Sequence, residues 1–124
     1  MRRFKVIRMM NISGITRNKM TSWNQMPKMT DPTWAGSEWN GIRSRGVPLE
    51  VMVKLANKLN ATPWFNIPQE ADNDLVRRYA AYVKQHLRPH LKPYLEYTNE
   101  AWNSAFSSAA YTKEMGLKQG LDRD

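Results

Sequence analysis

Short apolar runs alternate with segments of helical periodicity along this chain, and this alternation constrains its fold more than any other feature. The run from Phe4 to Met10 and the aromatic, β-branched run from Thr62 to Ile67 have the length and composition of buried strands. A third strand is predicted over Tyr94 to Thr98. Strands that alternate with helices imply right-handed crossovers and a parallel sheet, so the predicted fold class is α/β.

The helical segments follow these runs in order. Pro48 suits a first helical position, and apolar residues recur at helical spacing from there through Asn60. Asp72 or Asn73 can cap the next helix, which Pro89 stops. The predicted helices cover residues 48–60, 73–87 and 101–118.

The 124 residues are expected to form a single domain, 1–124, that holds only part of a barrel. A closed eight-stranded α/β barrel takes about 250 residues, so the three strand–helix units found here predict a partial, half-barrel sheet. Residues 11–46 form a long polar loop without sustained periodicity, which is expected to be functional or to contain a short helix.

Composition excludes several classes of protein. There are no cysteines, which rules out disulfides, a thiolate nucleophile and Cys-ligated metals. His86 and His90 have metal-ligand spacing but Pro89 separates them, and no metal site is predicted. No apolar run is long enough to span a membrane and no signal peptide is visible. The net charge of +8 permits polyanion binding, but no nucleic-acid-binding motif accompanies it.

The segment from Tyr94 to Asn103 is the most informative for chemistry. It places Asn99 and Glu100 at the carboxyl end of a predicted parallel strand, where α/β barrels gather their catalytic groups. A carboxylate beside an amide suits general acid and base catalysis on a sugar. The alternative is that both residues simply cap the following helix.

Side-chain alternation along the third strand adds a structural prediction. It puts Tyr94, Glu96 and Glu100 on one face, with Asn99 on the other. A buried carboxylate needs a partner, and Arg8 has the parity to supply one, so an interior ion pair between Arg8 and Glu96 is predicted. An exposed Arg8 is the alternative.

The stretch from Pro48 to Asn103, with its TPWFNI strand and its YLEYTNEAWN segment, resembles the middle of clan A glycoside hydrolases, in particular cellulase-like proteins. The resemblance extends more weakly back to Phe4. It implies a partial TIM barrel in which Glu100 is the acid/base glutamate and Asn99 holds a sugar hydroxyl. It also implies hydrolysis of a β-glucan without a cofactor.

Members of that clan carry a second carboxylate, the nucleophile, on a later strand that this chain lacks. Glu70 is the second catalytic candidate within the chain, and the other acids considered are Asp72, Asp31 and Glu38. Each has the alternative role of a solvated loop charge or a helix cap. A homo-oligomer offers a further route, because a second half-barrel would cover the sheet edges and contribute its own Glu100.

Aromatic and amide side chains complete the predicted substrate site. Asn66 lies near the end of the second strand, whose last residues are expected to face the site. Sugar stacking is a candidate role for five tryptophans, with core packing as the alternative, strongest for the last two: Trp23, Trp34, Trp39, Trp64 and Trp102.

The sequence therefore predicts a glycosidase-like protein acting on an oligosaccharide or polysaccharide. One alternative is a catalytically inactive carbohydrate-binding half-barrel, and a second is a basic nucleic-acid-binding protein. The resemblance suggests secretion, and the absence of a visible export signal leaves the location open.

Overall fold

A computed structural model of the chain describes residues 5–32, 34 and 45–121, and it contains an open sheet of three parallel strands. Strand β1 is Val6–Arg8, β2 is Thr62–Ile67 and β3 is Tyr94–Tyr97, in the spatial order β1-β2-β3. The α/β class and the parallel pairing are confirmed. The predicted first strand is too long, because only Val6–Arg8 has strand structure; Met9 still donates its N–H to the Trp64 carbonyl at 2.8 Å, and a turn begins at Met10. Phe4 lies outside the described residues.

Three helices connect or follow the strands: α1 is Leu49–Leu59, α2 is Asn73–His86 and α3 is Ser107–Lys118. Helix α1 ends at Asn60, which adopts the left-handed conformation typical of a helix terminus. In α2 the Asp72 carboxylate accepts a hydrogen bond of 2.7 Å from the Leu75 N–H, so Asp72 is the N-cap. Among the described residues, no helix combines the length and the apolar character that crossing a bilayer requires.

The predicted start of the third helix at Ala101 is wrong, because α3 begins at Ser107. Turns occupy the intervening residues: the Asn103 N–H donates to the Glu100 carbonyl at 2.8 Å and the Phe106 N–H to the Asn103 carbonyl at 3.0 Å. The Asn103 side chain also accepts from the Ala105 N–H. This local bonding competes with helix formation, as it commonly does at Asn.

Two short 3-10 turns, at Ile15–Arg17 and Trp23–Gln25, lie in the described part of the long loop. Three of its apolar residues, Ile15, Met20 and Met26, are buried, whereas Ile12 and Met29 are exposed. The described part of the loop thus contributes to the core.

The core lies on one side of the sheet. Phe65 and Ile67 of β2 pack with Met9 against the apolar faces of α1 and α2. Alternation along the strands sends the other side chains to the opposite side, which we call the open face and which consists of Val6, Arg8, Trp64, Tyr94 and Glu96. Val6 is 42% and Tyr94 57% exposed, so the sheet has a helix-covered side and a solvent-accessible side.

Candidate functional site

Polar side chains from all three strands meet at the carboxyl end of the sheet. The Arg8 Nη2 atom donates to Glu96 Oε2 at 2.8 Å, and Asn66 Nδ2 donates to the same oxygen at 2.9 Å. This geometry follows from the register, which aligns Asn66 with Glu96 and Arg8 with Trp64. The guanidinium also lies over the Trp64 ring, with Cζ 4.8 Å from the ring centroid.

The ion pair predicted between Arg8 and Glu96 is therefore present, but it is not interior. The two side chains are 35% and 26% exposed. Partial exposure lowers the energetic contribution of such a pair relative to a desolvated one. Its principal effect is geometric, because it fixes the position of one carboxylate on β3 relative to β1.

Asn99 lies where alternation did not place it. The prediction put Asn99 on the face opposite Glu96, whereas its Oδ1 accepts a hydrogen bond of 3.0 Å from the same Arg8 Nη2. The prediction is wrong because the strand ends at Tyr97 and Thr98 has a φ of 57°, which breaks the alternation. Asn99 is 2% exposed and joins the cluster of Arg8, Asn66 and Glu96, which we call the strand-end cluster.

The backbone on both sides of Asn99 is strained. Thr98 is β-branched and has φ 57°, and Glu100 has φ 44°. Each such conformation costs about 1–3 kcal/mol and persists only where neighbouring contacts impose it. Those contacts are present: the Thr98 N–H donates to the Ile67 carbonyl at 2.8 Å, and its carbonyl accepts from Asn66 Nδ2 at 2.8 Å. Strain of this kind concentrates at functional sites.

Glu100 follows directly on this strained segment and is half-buried. Its Oε2 accepts a hydrogen bond of 3.0 Å from Asn103 Nδ2. It does not cap α3, since six residues separate it from that helix, and Asn99 meets α3 only through its carbonyl, which accepts from Ser108 Oγ at 2.9 Å. The helix-cap alternative for Asn99 and Glu100 is therefore excluded.

The other acidic candidates have separate locations. Glu70 is half-buried just past β2. The pKa of the Tyr97 hydroxyl is raised above its ordinary value, first by partial burial, then by the neighbouring Tyr111 and by the charge of Glu70. Asp31 pairs with Arg45 at 3.6 Å. Asp72 caps α2, and Glu38 lies outside the described residues. Among the described acidic candidates for the second carboxylate, Asp31 and Asp72 therefore have other roles. Glu70 follows a strand end and neither caps a helix nor forms an ion pair with the described residues.

The tryptophans divide into packed and exposed residues. Trp23 packs against the core, and Trp34 is half-buried with Nε1 donating to the Lys28 carbonyl. Trp64 is half-buried on the open face beside Tyr94, with ring centroids 6.1 Å apart. Trp102 is 81% exposed, so core packing does not describe it. Trp39 lies outside the described residues.

Gln69 is a site residue that the sequence analysis missed. It is 2% exposed, its Oε1 accepts from Thr98 Oγ1 at 3.3 Å, and its Nε2 donates to Ser107 Oγ at 3.2 Å. It thereby links the end of β2 to the strained segment and to α3. Its position right after the strand-ending Pro68 is the sequence signal that could have identified it.

Two amide atoms in the strand-end cluster lack partners. Asn66 Oδ1 and Asn99 Nδ2 are buried and form no hydrogen bond with the described residues. An unpaired buried polar group costs about 1–3 kcal/mol, so each of these two atoms opposes the stability of the cluster.

The histidines take structural contacts. His86 stacks on Tyr82 and His90 Nε2 contacts Asn60 Oδ1 at 2.6 Å. Within residues 5–32, 34 and 45–121, no group of three or more His, Asp or Glu side chains is placed to hold a metal ion.

Comparisons with protein-family models, curated proteins and solved structures found no match to this chain.

Proposed function

We propose that this protein is a glycoside hydrolase-like half-barrel that acts on β-glucans through carboxylate acid/base catalysis. The observation that carries the proposal is the strained Thr98–Glu100 segment at the carboxyl ends of three parallel strands. Strand ends of this kind hold the catalytic groups of α/β barrels. The resemblance of the Asn99-Glu100 motif to clan A glycosidases supplies the reaction class.

In this proposal Glu100 protonates the glycosidic oxygen and later activates water. Its half-buried position and its bond from Asn103 orient the carboxylate while leaving its second oxygen available for a substrate. Asn99 holds a sugar hydroxyl, as the resemblance implies, and Asn66 belongs to the same hydrogen-bonded cluster. Arg8 and Glu96 hold these amides in place.

The second carboxylate has two candidate sources. Glu70 is the intramolecular one, since it follows β2 as Glu100 follows β3. The intermolecular source is Glu100 of a second copy, brought in when two half-barrels complete one ring of strands. Separations of about 5–5.5 Å would retain anomeric configuration and about 6.5–9.5 Å would invert it.

The test is release of reducing sugar from a soluble β-glucan by the wild-type protein and by Glu100→Gln. We expect the substitution to reduce release at least about a hundredfold, since general acid–base catalysis contributes that much, while retaining binding. Glu114→Gln is the matched control, because Glu114 is exposed on α3 and bonds only Lys118. Glu70→Gln then separates the two sources of the second carboxylate. Equal loss in Glu100→Gln and Glu114→Gln would contradict the proposal.

A second candidate is a carbohydrate-binding half-barrel without turnover. The observation that favours it is the exposure of Trp102, which is 81% exposed and lies in the turn that follows Glu100. Its flat ring is therefore available for stacking on a sugar. This candidate predicts that the wild-type protein binds insoluble β-glucan, that Trp102→Ala reduces that binding, and that no reducing sugar appears.

A further inference from the structure

An apolar groove lies on the helix side of the sheet, between α2, the segment from Leu87 to Pro93, and β3. Its volume is about 450 Å³, within the usual range for small-molecule sites. We call it the α2–β3 groove. Its apolar lining includes Phe65, Val83, Leu87, Leu91 and Leu95.

The floor and the edge of this groove differ in exposure. Phe65 is 1% exposed and Leu87 8%, whereas Leu95, at the edge strand, is 61% exposed. The groove therefore begins at buried core residues and opens to solvent beside Leu95. It can bind the apolar part of a ligand without a rearrangement of the fold.

Three cations surround the groove: Lys84, Arg88 and Lys92 all line it and are exposed. None of them has a carboxylate within 4.0 Å among the ion pairs that the described residues form. An apolar lining bordered by three positively charged side chains is complementary to a molecule with an apolar body and one anionic end. The same three cations disfavour contact between this groove and the groove of a second copy, because like charges would face each other.

We propose that the α2–β3 groove binds a small amphiphilic carboxylate. Its aliphatic or aromatic body packs against the apolar lining, and its carboxylate lies at the rim formed by Lys84, Arg88 and Lys92. This site is on the opposite side of the sheet from the open face and is separate from the strand-end cluster. It therefore does not depend on the proposed glycosidase function.

Calorimetric titration with octanoate, decanoate and dodecanoate, each below its micelle concentration, tests the apolar part. Each additional pair of methylenes is expected to lower Kd about tenfold, because burial of one methylene contributes about 0.8 kcal/mol. Decyltrimethylammonium, which has the same body and the opposite charge, is expected to bind at least about tenfold more weakly than decanoate. Affinity that is independent of tail length or of head-group sign would overturn the proposal.

Matched double variants test the rim. Lys84→Gln with Lys92→Gln is expected to raise the Kd for decanoate at least about tenfold. Lys54→Gln with Lys58→Gln removes the same charge from α1, whose lysines do not line the groove, and is expected to change Kd less than about twofold. All four lysines are exposed, so folding should be retained, and circular dichroism verifies this.

A third variant separates the groove from general adsorption to the protein. Ala80 is exposed and lines the groove, so Ala80→Phe fills part of it without disturbing a buried residue. Loss of decanoate binding in Ala80→Phe supports the site, and unchanged binding in this variant overturns it. Equal effects of the two lysine pairs would likewise overturn it, because they would show attraction to net charge only.

Discussion

Gly46 is the residue whose identity the fold most clearly requires. It has a φ of 71°, and a Cβ placed there would meet the backbone of Ser13 and Ile12, with Ile12 O only 2.6 Å away. The next residue, Val47, donates its N–H to the Ile12 carbonyl at 2.8 Å, so the two chain segments cannot separate without losing that bond. We expect Gly46→Ala to lower the free energy of unfolding by at least about 2 kcal/mol, measured by urea denaturation.

Gly120 supplies the control for this prediction. Its φ of 74° is similar, but a Cβ there meets nothing within 4 Å. Gly120→Ala therefore carries only the conformational cost, about 1 kcal/mol, and lies near the end of α3 where local fraying reduces it further. Equal losses in the two variants would show that crowding at Gly46 is unimportant.

At the scale of elements, the alternation of side chains in strands and the periodicity of apolar residues in helices predict most of the strand and helix boundaries. The second strand, Thr62–Ile67, and the helices α1 and α2 were predicted within one residue at each end, because Pro48, Asn60 and Asp72 mark their boundaries chemically. Helix α3 was predicted six residues too early. The apolar spacing over 101–106 is compatible with a helix, and only the turns centred on Asn103 exclude it.

The strand-end cluster was predictable in part for the same reason. The pair formed by Arg8 and Glu96 follows from side-chain parity within regular strands. The position of Asn99 does not, because it depends on the left-handed backbone at Thr98. Two tertiary hydrogen bonds impose that backbone: the Thr98 N–H donates to the Ile67 carbonyl, and Asn66 Nδ2 donates to the Thr98 carbonyl. The local sequence does not predict a positive φ at Thr98, because a β-branched residue adopts this conformation only where tertiary contacts impose it.

The cap of α2 makes the element-scale prediction. Asp72 accepts from the Leu75 N–H at 2.7 Å, and Leu75 is fully buried, so the cap anchors the first turn against the core. Asp72→Ala is expected to lower the free energy of unfolding by about 1 kcal/mol. Asp74→Ala is the comparison, since Asp74 lies in the same turn but forms only an exposed pair with Arg78, and a loss below about 0.5 kcal/mol is expected. A larger loss at Asp74 would assign the effect to the helix dipole instead.

At the scale of the molecule, the sheet is parallel, and the described helices cover only one of its sides. Parallel sheets are usually covered on both sides, and edge strands with free backbone groups favour pairing with another chain. The open face has Val6 at 42% and Tyr94 at 57% exposure, and β1 and β3 are both edges. In the proposed half-barrel, a second copy would close the ring of strands and bury this face, which gives the oligomer a structural reason.

Substitution of one apolar residue on the open face should therefore change the assembly. We expect sedimentation velocity to give the wild-type chain about twice its 14.5 kDa mass, and Val6→Lys to give the mass of one chain, because a charge buried between two sheets is costly. Leu59→Lys is the matched control: Leu59 is exposed to a similar extent, 40%, but belongs to α1 and not to the open face of the sheet. Dimer retained in Val6→Lys, or lost equally in Leu59→Lys, would mean that the open face is not the contact. A wild-type monomer would leave Glu70 as the remaining source of the second carboxylate. In that case Glu70→Gln should abolish the release of reducing sugar, whereas a dimer that uses a second Glu100 should retain it.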